Sequence, residues 1–147
     1  MMEWYPHVTV ATVVEKDGKY LLVEELCHGR LVYNQPAGHL DADETLQQAA
    51  IRETQEETGW QVELLGLVGL ALYTSPNNQV TYHRTTFYAK ALQHDPEQPL
   101  DDGIQQAVWM SYEEMLAASD RMRSHLVIKA VEQYQNGHTY PIELIFE

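Results

Sequence analysis

The stretch Gly38–Trp60, GHLDADETLQQAAIRETQEETGW, governs how the rest of the chain must be arranged. It opens on a turn signal, Pro36-Ala37-Gly38, and continues into a helical pattern that closes at Gly59. The spacing predicts a helix from Asp43 or Glu44 to Thr58, with Gly59 as its C-terminal cap. At about 100° per residue, Glu53, Glu56 and Glu57 stand at i, i+3 and i+4 on one side of that helix. Leu46, Ala49 and Ala50 fall in the same arc of roughly 120°. The acidic patch therefore continues the buried face rather than opposing it. Three like charges at this spacing destabilise a helix unless something positive binds them. Two readings stand side by side: a solvated acidic face, and a partly desolvated cluster of hard oxygen ligands for Mg²⁺ or Mn²⁺. A calcium loop is excluded. Asp41-x-Asp43-x-Thr45 begins like an EF-hand, but Leu46 stands where the tight turn needs glycine.

Outward from this stretch, the 147 residues are expected to form one domain, residues 1–147, with 44% hydrophobic residues to supply a core. The longest apolar run, Val62–Tyr73, is broken by Glu63 and glycines and is too short to span a membrane. The N-terminus has no basic segment followed by an apolar one, so a cytoplasmic setting is expected. Cys27 is alone, which excludes a disulfide framework and a paired-cysteine zinc site within the chain. The net charge of −13 argues against binding nucleic-acid polymers, which needs a basic face. It is compatible with a phosphate-bearing small molecule only if divalent cations accompany it.

The remaining pattern predicts strands over His7–Glu15, Tyr20–Leu26 and Leu31–Tyr33, with Asp17-Gly18 turning the first pair. Gln61–Tyr73 and Gln79–Leu92 read as a long strand pair joined at Ser75-Pro76-Asn77-Asn78. The polar segment His94–Gly103 reads as a loop and Ala107–Met110 as a strand. Ser111-x-x-Glu114 reads as a capping box, and Ser124–Gln135 as a last helix. Pro141–Phe146 is expected to be extended. The layout is an α/β or α+β sandwich, a mixed sheet between helices.

The run Gly38-x5-Glu44-x7-Arg52-Glu53-x2-Glu56-Glu57-x-Gly59 resembles the Nudix box, the signature of the Nudix hydrolases. All seven invariant positions are filled, and at residue frequencies of about 5–7% a chance match is on the order of 10⁻⁹ per starting point. Two variable slots depart from the usual pattern: Thr54 replaces an aliphatic residue, and Trp60 is aromatic. Flanking segments, among them Pro6–Ala11, Asn34–Leu40 and Tyr140–Glu143, are similar to a phosphatase subgroup of that family. The resemblance implies hydrolysis of nucleoside tri- and diphosphates, of thiamine diphosphate and of hydroxymethylpyrimidine diphosphate. Alternatives are ADP-ribose or an oxidised deoxynucleoside triphosphate as substrate, or a non-catalytic nucleotide-binding domain.

By this resemblance Glu56 and Glu57 are metal ligands, the Ala37 carbonyl is a further one, and Glu53 is a ligand or the base that activates water. The implied cofactor is Mg²⁺, with Mn²⁺ as a substitute. Arg52 reaches Glu56 at i+4 and is expected to orient the carboxylates. Glu44 belongs to the motif, but helical phase puts it opposite Glu53, where it would interact with the helix N-terminus. Asp102 is the candidate for an extra acid outside the box. Arg84 is read either as holding a terminal phosphate or as pairing on the surface. Tyr33, Tyr73, Tyr82 and Trp4 are read either as stacking on a substrate ring or as core. His7 and His39 are expected to be structural. The chain is expected to act as a monomer or homodimer.

Overall fold

The computed structural model describes residues 3–146. The first strand, β1 (His7–Lys16), is buried without interruption from Thr9 to Val14, because both faces of the sheet are covered there. It turns through Asp17 (φ 53°) and Gly18 (φ 77°) into β2 (Lys19–Cys27). A second tight turn at His28 and Gly29 leads to β3 (Arg30–Asn34). Next come a short β4 (Ala37–His39), the helix α1 (Leu46–Thr58), and the long hairpin β5 (Trp60–Thr74) and β6 (Thr81–His94). Then follow β7 (Ile104–Met110), α2 (Tyr112–Ala117), a 3-10 turn at Ser119–Arg121, α3 (Leu126–Gln135) and a final 3-10 turn at Ile142–Leu144.

The sheet is mixed, as expected. Its order is β3-β2-β1-β6-β5, with β4 also on β1 and β7 also on β2. Strand β6 runs parallel to β1 along His7–Val14 and takes one edge of it. The other edge is shared: β4 holds Thr9–Ala11 and β2 holds only Glu15 and Lys16. Strands β2, β3 and β7 therefore splay away from β4, and a cleft opens between them.

Helix α1 lies on one face. Ala49 and Ala50 pack with Val10, Leu67 and Phe87, small residues that let the helix approach the sheet. Thr54 sits fully buried, and its hydroxyl meets that of Thr12 at 3.0 Å and the carbonyl of Ala50 at 2.7 Å. A hydroxyl pair thus replaces the aliphatic contact usual at this slot. Helix α3 covers the other face, placing Val127, Ala130 and Val131 against Val13, Leu22 and Val68. Each fully buried side chain of this size contributes roughly 1.5–3 kcal/mol.

Several boundaries differ from expectation. The helix begins at Leu46 rather than Asp43 or Glu44. Asp43 takes a left-handed φ of 63°, and Thr45 caps the helix through a reciprocal box with Gln48. Pro36–Gly38 is not a simple turn, because Ala37–His39 pairs with β1. The helix α3 starts at Leu126 instead of Ser124, whose hydroxyl accepts the Leu126 N–H. Ile142–Leu144 coils into a 3-10 turn where extended chain was expected.

Candidate active site

The C-terminal half of α1 carries its acids in a graded series of exposure. Glu57 is buried, the Glu53 side chain is 12% exposed, and that of Glu56 is 42% exposed. The wheel is thus correct in placing the patch beside the alanines. Arg52 gathers the acids. It donates to Glu44 at 2.6 Å, Glu53 at 2.7 Å and Glu56 at 3.2 Å, lies 3.4 Å from Asp41, and donates to the His39 carbonyl at 3.0 Å. One guanidinium therefore ties α1 to the end of β4 and holds several carboxylates in place. Glu44 is not opposite this cluster. It precedes the helix, so helical phase does not apply to it, and it also accepts the N–H of Asp41 at 3.0 Å.

Gly38 is where β4 meets the Glu53 carboxylate. A Cβ there would overlap that carboxylate, so only glycine permits the approach. Gly59 ends the helix at a left-handed φ of 76° and returns its N–H to the Gln55 carbonyl. Ala37 donates its N–H to Glu57 Oε1 at 2.9 Å. On either side of it, the Pro36 carbonyl and the Leu40 N–H bond to β1. By strand alternation the N–H and carbonyl of Ala37 both turn away from β1, towards the glutamates.

Burial pushes the Glu57 carboxyl up to about 9; the Ala37 N–H opposes this, and the charges of Glu25, Glu53 and Asp101 add to it. Burial also raises Glu53, against the pull of Arg52. Asp101, in the loop before β7, brings a carboxylate oxygen to those of Glu53 and Glu56, all within 4.8 Å of one another. Its N–H anchors that loop on the Glu56 carbonyl at 3.2 Å. Asp101, rather than Asp102, thus brings its carboxylate beside the box, although both residues are exposed. Glu53, Glu56 and Asp101 form a hard-oxygen donor set that suits a divalent cation, with the buried Glu57 next to them on α1.

Glu53, Glu57, Ala37 and Gly38 form one end of a cavity of about 370 Å³. Its floor is the sheet: His39, Thr9 and Arg84 lie in one cross-strand row, with Tyr82 and Tyr73 in another. Glu25, Asn34 and Arg123 line it from the splayed strands and from the segment before α3. Arg84 is not a surface ion pair. Its Nη2 donates to Gln35 Oε1 at 3.0 Å and Asn34 Oδ1 at 3.4 Å, and burial, then the charge of Arg123, draws it down to about 10. Of the aromatic candidates, Tyr82 and Tyr73 line the cavity. Tyr33 does not, because it packs on the core beneath Arg121, whose guanidinium lies 4.5 Å from the ring centroid. Trp4 is 72% exposed and also outside the cavity lining. His39 lines the cavity and meets His7 nitrogen to nitrogen at 3.2 Å; burial and the charge of His7 lower its pKa.

Asp101 and Arg123 did not emerge from the sequence. The sequence reading chose Asp102, since nothing local in Asp101-Asp102 favours its neighbour, and Arg121-x-Arg123 before a helix was the only signal for the second.

This geometry can be set against known proteins. Residues 5–131 match the NUDIX domain family. The chain belongs to the Nudix family. This Nudix chain is 44% identical over 140 residues to Phosphatase NudJ of Escherichia coli strain K12, covering 95% of the chain and 90% of that protein. A NUDIX hydrolase structure from Nitrosomonas europaea superposes with a TM-score of 0.95 at 42% identity, covering 97% of each chain. A MutT NUDIX hydrolase from Burkholderia pseudomallei shares the fold at TM-score 0.75 and 21% identity, covering 88% of this chain and 98% of that one. The Nudix chain is accordingly a hydrolase of pyrophosphate bonds. Nudix hydrolases use divalent metals, and the acidic cluster is in place for one. No helix of the described residues is long and apolar enough to cross a membrane.

Proposed function

We propose that this Nudix hydrolase uses Mg²⁺, or Mn²⁺ in its place, to cleave phosphoanhydrides of compact organic phosphates. The proposed substrates are nucleoside tri- and diphosphates, thiamine diphosphate and hydroxymethylpyrimidine diphosphate. The observation that carries the reading is that the acidic end of α1 opens into the same cavity as Arg84, Arg123 and Tyr82. The 44% identity to a NudJ phosphatase supports it.

Glu53, Glu56, Glu57, Asp101 and the Ala37 carbonyl are the groups that would hold the cation. When bound, the ion neutralises phosphate charge and acidifies a coordinated water. Arg52 positions Glu53 and Glu56 so that little reorganisation is needed during reaction. Glu53 is the candidate for the base: it lines the cavity beside Ala37 and Gly38, and burial raises its pKa. Tyr82 and Tyr73 offer ring faces to the organic part. The proposed setting is the cytoplasm, with the whole chain acting as one domain, as a monomer or homodimer.

Glu57→Gln tests the reading. Turnover should fall by about 10³-fold or more, on the scale of losing a metal-polarised nucleophile, while the fold survives. Near wild-type turnover of the folded variant at saturating Mg²⁺ would sink it. A substrate panel with phosphate and pyrophosphate measured separately then reports both the substrate and the bond cleaved.

A further inference from the structure

In the loop 95–103 every residue is exposed except Gln98 and Leu100. The loop nevertheless delivers the Asp101 carboxylate to those of Glu53 and Glu56, all within 4.8 Å of one another. Like charges at that range repel, and an exposed loop relieves the repulsion by moving away unless it is restrained. Arg52 does not supply the restraint: it pairs with Asp41, Glu44, Glu53 and Glu56. The restraint on Asp101 must come from the loop's own attachments.

Three of these end on α1 or its cap. The Asp95 N–H donates to the Gly59 carbonyl at 2.9 Å, and the Asp101 N–H to the Glu56 carbonyl at 3.2 Å. Between them, Gln98 donates from Nε2 to the Gln55 carbonyl at 2.6 Å. Helix α1 has no basic residue in its last turn, so neutral donors from this loop meet its carbonyls. The Gln98 bond is the shortest of the three and the only one made by a side chain. Gln55 and Glu56 are neighbours on the helix, so a side chain fixed on the first carbonyl sets the chain three residues later against the second. At its far end the loop is tied to β2, where the Leu26 N–H donates to the Gly103 carbonyl at 2.8 Å. Without Gln98 the loop is fastened only at its ends and at Asp101 itself. Gln98 is outside the cavity lining and faces a shallow groove on the outer side of α1 with Gln48, Ile51 and Gln55. It is thus placed to act through Asp101 and not on a ligand.

We propose that Gln98 is a positioning residue, whose amide bond to the Gln55 carbonyl keeps Asp101 in the carboxylate cluster against the repulsion of Glu53 and Glu56. The proposal rests on the metal-dependent reading above for its consequence, which is that breaking a contact remote from the cavity weakens cation binding.

The test compares the wild-type chain with Gln98→Met, which keeps the length of the side chain and removes the donor, and with Gln98→Lys, which keeps a donor. Amide hydrogen exchange is followed by NMR on the metal-free chains. Exchange at Asp101 should quicken about fivefold in Gln98→Met, as expected for the loss of one hydrogen bond, and stay within about twofold of wild type in Gln98→Lys. Exchange at Gly59, which shares the Gln55 carbonyl, should change by no more than about twofold, since the helix end itself stays formed. Mn²⁺ binding is then measured by calorimetry in both an Asp101 and an Asp101→Asn background. Gln98→Met should raise the dissociation constant about threefold in the first and leave it within about 1.5-fold in the second. The proposal is overturned if exchange at Asp101 is unchanged in Gln98→Met, or as fast in Gln98→Lys. It is also overturned if Mn²⁺ affinity is unchanged, or falls equally in the two backgrounds. If Gln98→Met does not fold, Gln98→Asn, whose amide is one methylene short of the carbonyl, takes its place with the same outcomes. If the wild type binds neither Mn²⁺ nor Mg²⁺, the metal-dependent reading fails, and exchange at Asp101 alone decides whether Gln98 anchors it.

Discussion

Arg52 and Arg84 are the same residue type in opposite surroundings. Arg52 stands among four carboxylates and bridges α1 to β4. Hydrogen bonding to Glu44 is the largest of the effects that raise its pKa, and its charge offsets like-charge repulsion on the helix. Arg84 has only neutral partners, and burial lowers its pKa. Arg52 stands behind Glu53 at the acidic end of the cavity, while Arg84 lies in the cavity floor with its positive charge left over. Where the protein's own partners balance a charge, the residue builds the scaffold. Where they leave it unbalanced, the remainder is available to a ligand.

The largest expected effect on this contrast comes from deleting each arginine in turn. Arg52→Met leaves Glu44, Glu53 and Glu56 facing one another, and kcat should fall by about 10²-fold, with a clear drop in Tm in the absence of metal. Arg84→Met should leave Tm unchanged or slightly raised, because a partly buried cation without a carboxylate partner contributes little to stability. Equal losses of Tm in the two variants would dissolve the contrast.

A smaller effect separates two adjacent acids. Asp101→Asn should lower the apparent Mg²⁺ affinity or kcat by about 10-fold or more, and Asp102→Asn should stay within about twofold. A metal titration of activity on both variants decides between them. The reverse order would mean that the loop before β7 is misassigned.

The smallest effect is on pH dependence. Glu57 rises from an ordinary value of 4.5 to about 9 in the folded chain. The metal-free fold therefore holds a proton that the unfolded chain has released, and its stability should decline as pH rises from about 5 to about 9. A bound divalent cation replaces that proton, so excess Mg²⁺ should flatten the slope, and apparent metal affinity should rise across the same range. Tm measured in chelator and in Mg²⁺ over that range checks both. A metal-free Tm that climbs with pH would contradict the burial of Glu57.

These regions were not equally legible in the sequence. Glu53, Glu56 and Glu57 lie within one and a half helical turns, so local periodicity sets their side, and the family resemblance supplied their chemistry. Helical phase misled for Glu44 because the left-handed Asp43 and the Thr45 cap delay the helix until Leu46. The cavity floor depends on the β1–β6 register, which pairs Thr9 with Arg84 across 75 positions, and no local pattern encodes that pairing. Strand β4 was hidden by proline and glycine, which ordinarily signal a turn but here admit the Glu53 carboxylate. Tyr33 has the strand position of a ring reader, but the backbone between α2 and α3 carries Arg121 over its ring. The surface-pairing reading of Arg84 falls only because the Asn34 and Gln35 amides occupy the place of a surface carboxylate, which no local pattern in the sequence reveals.

The shared edge of β1 has a consequence for how the cavity can be re-engineered. Because β4 and β2 divide that edge, the acidic wall hangs on β4 and α1, while much of the opposite wall hangs on β2, β3 and the chain before α3. The turn at His28 and the hairpin tip at Asn77 and Asn78 lie on the cavity and far along the chain from the glutamates. Substitutions there can exchange one organic group for another without disturbing the ligands of the reaction. The two walls are carried by different strands and meet along β1 alone.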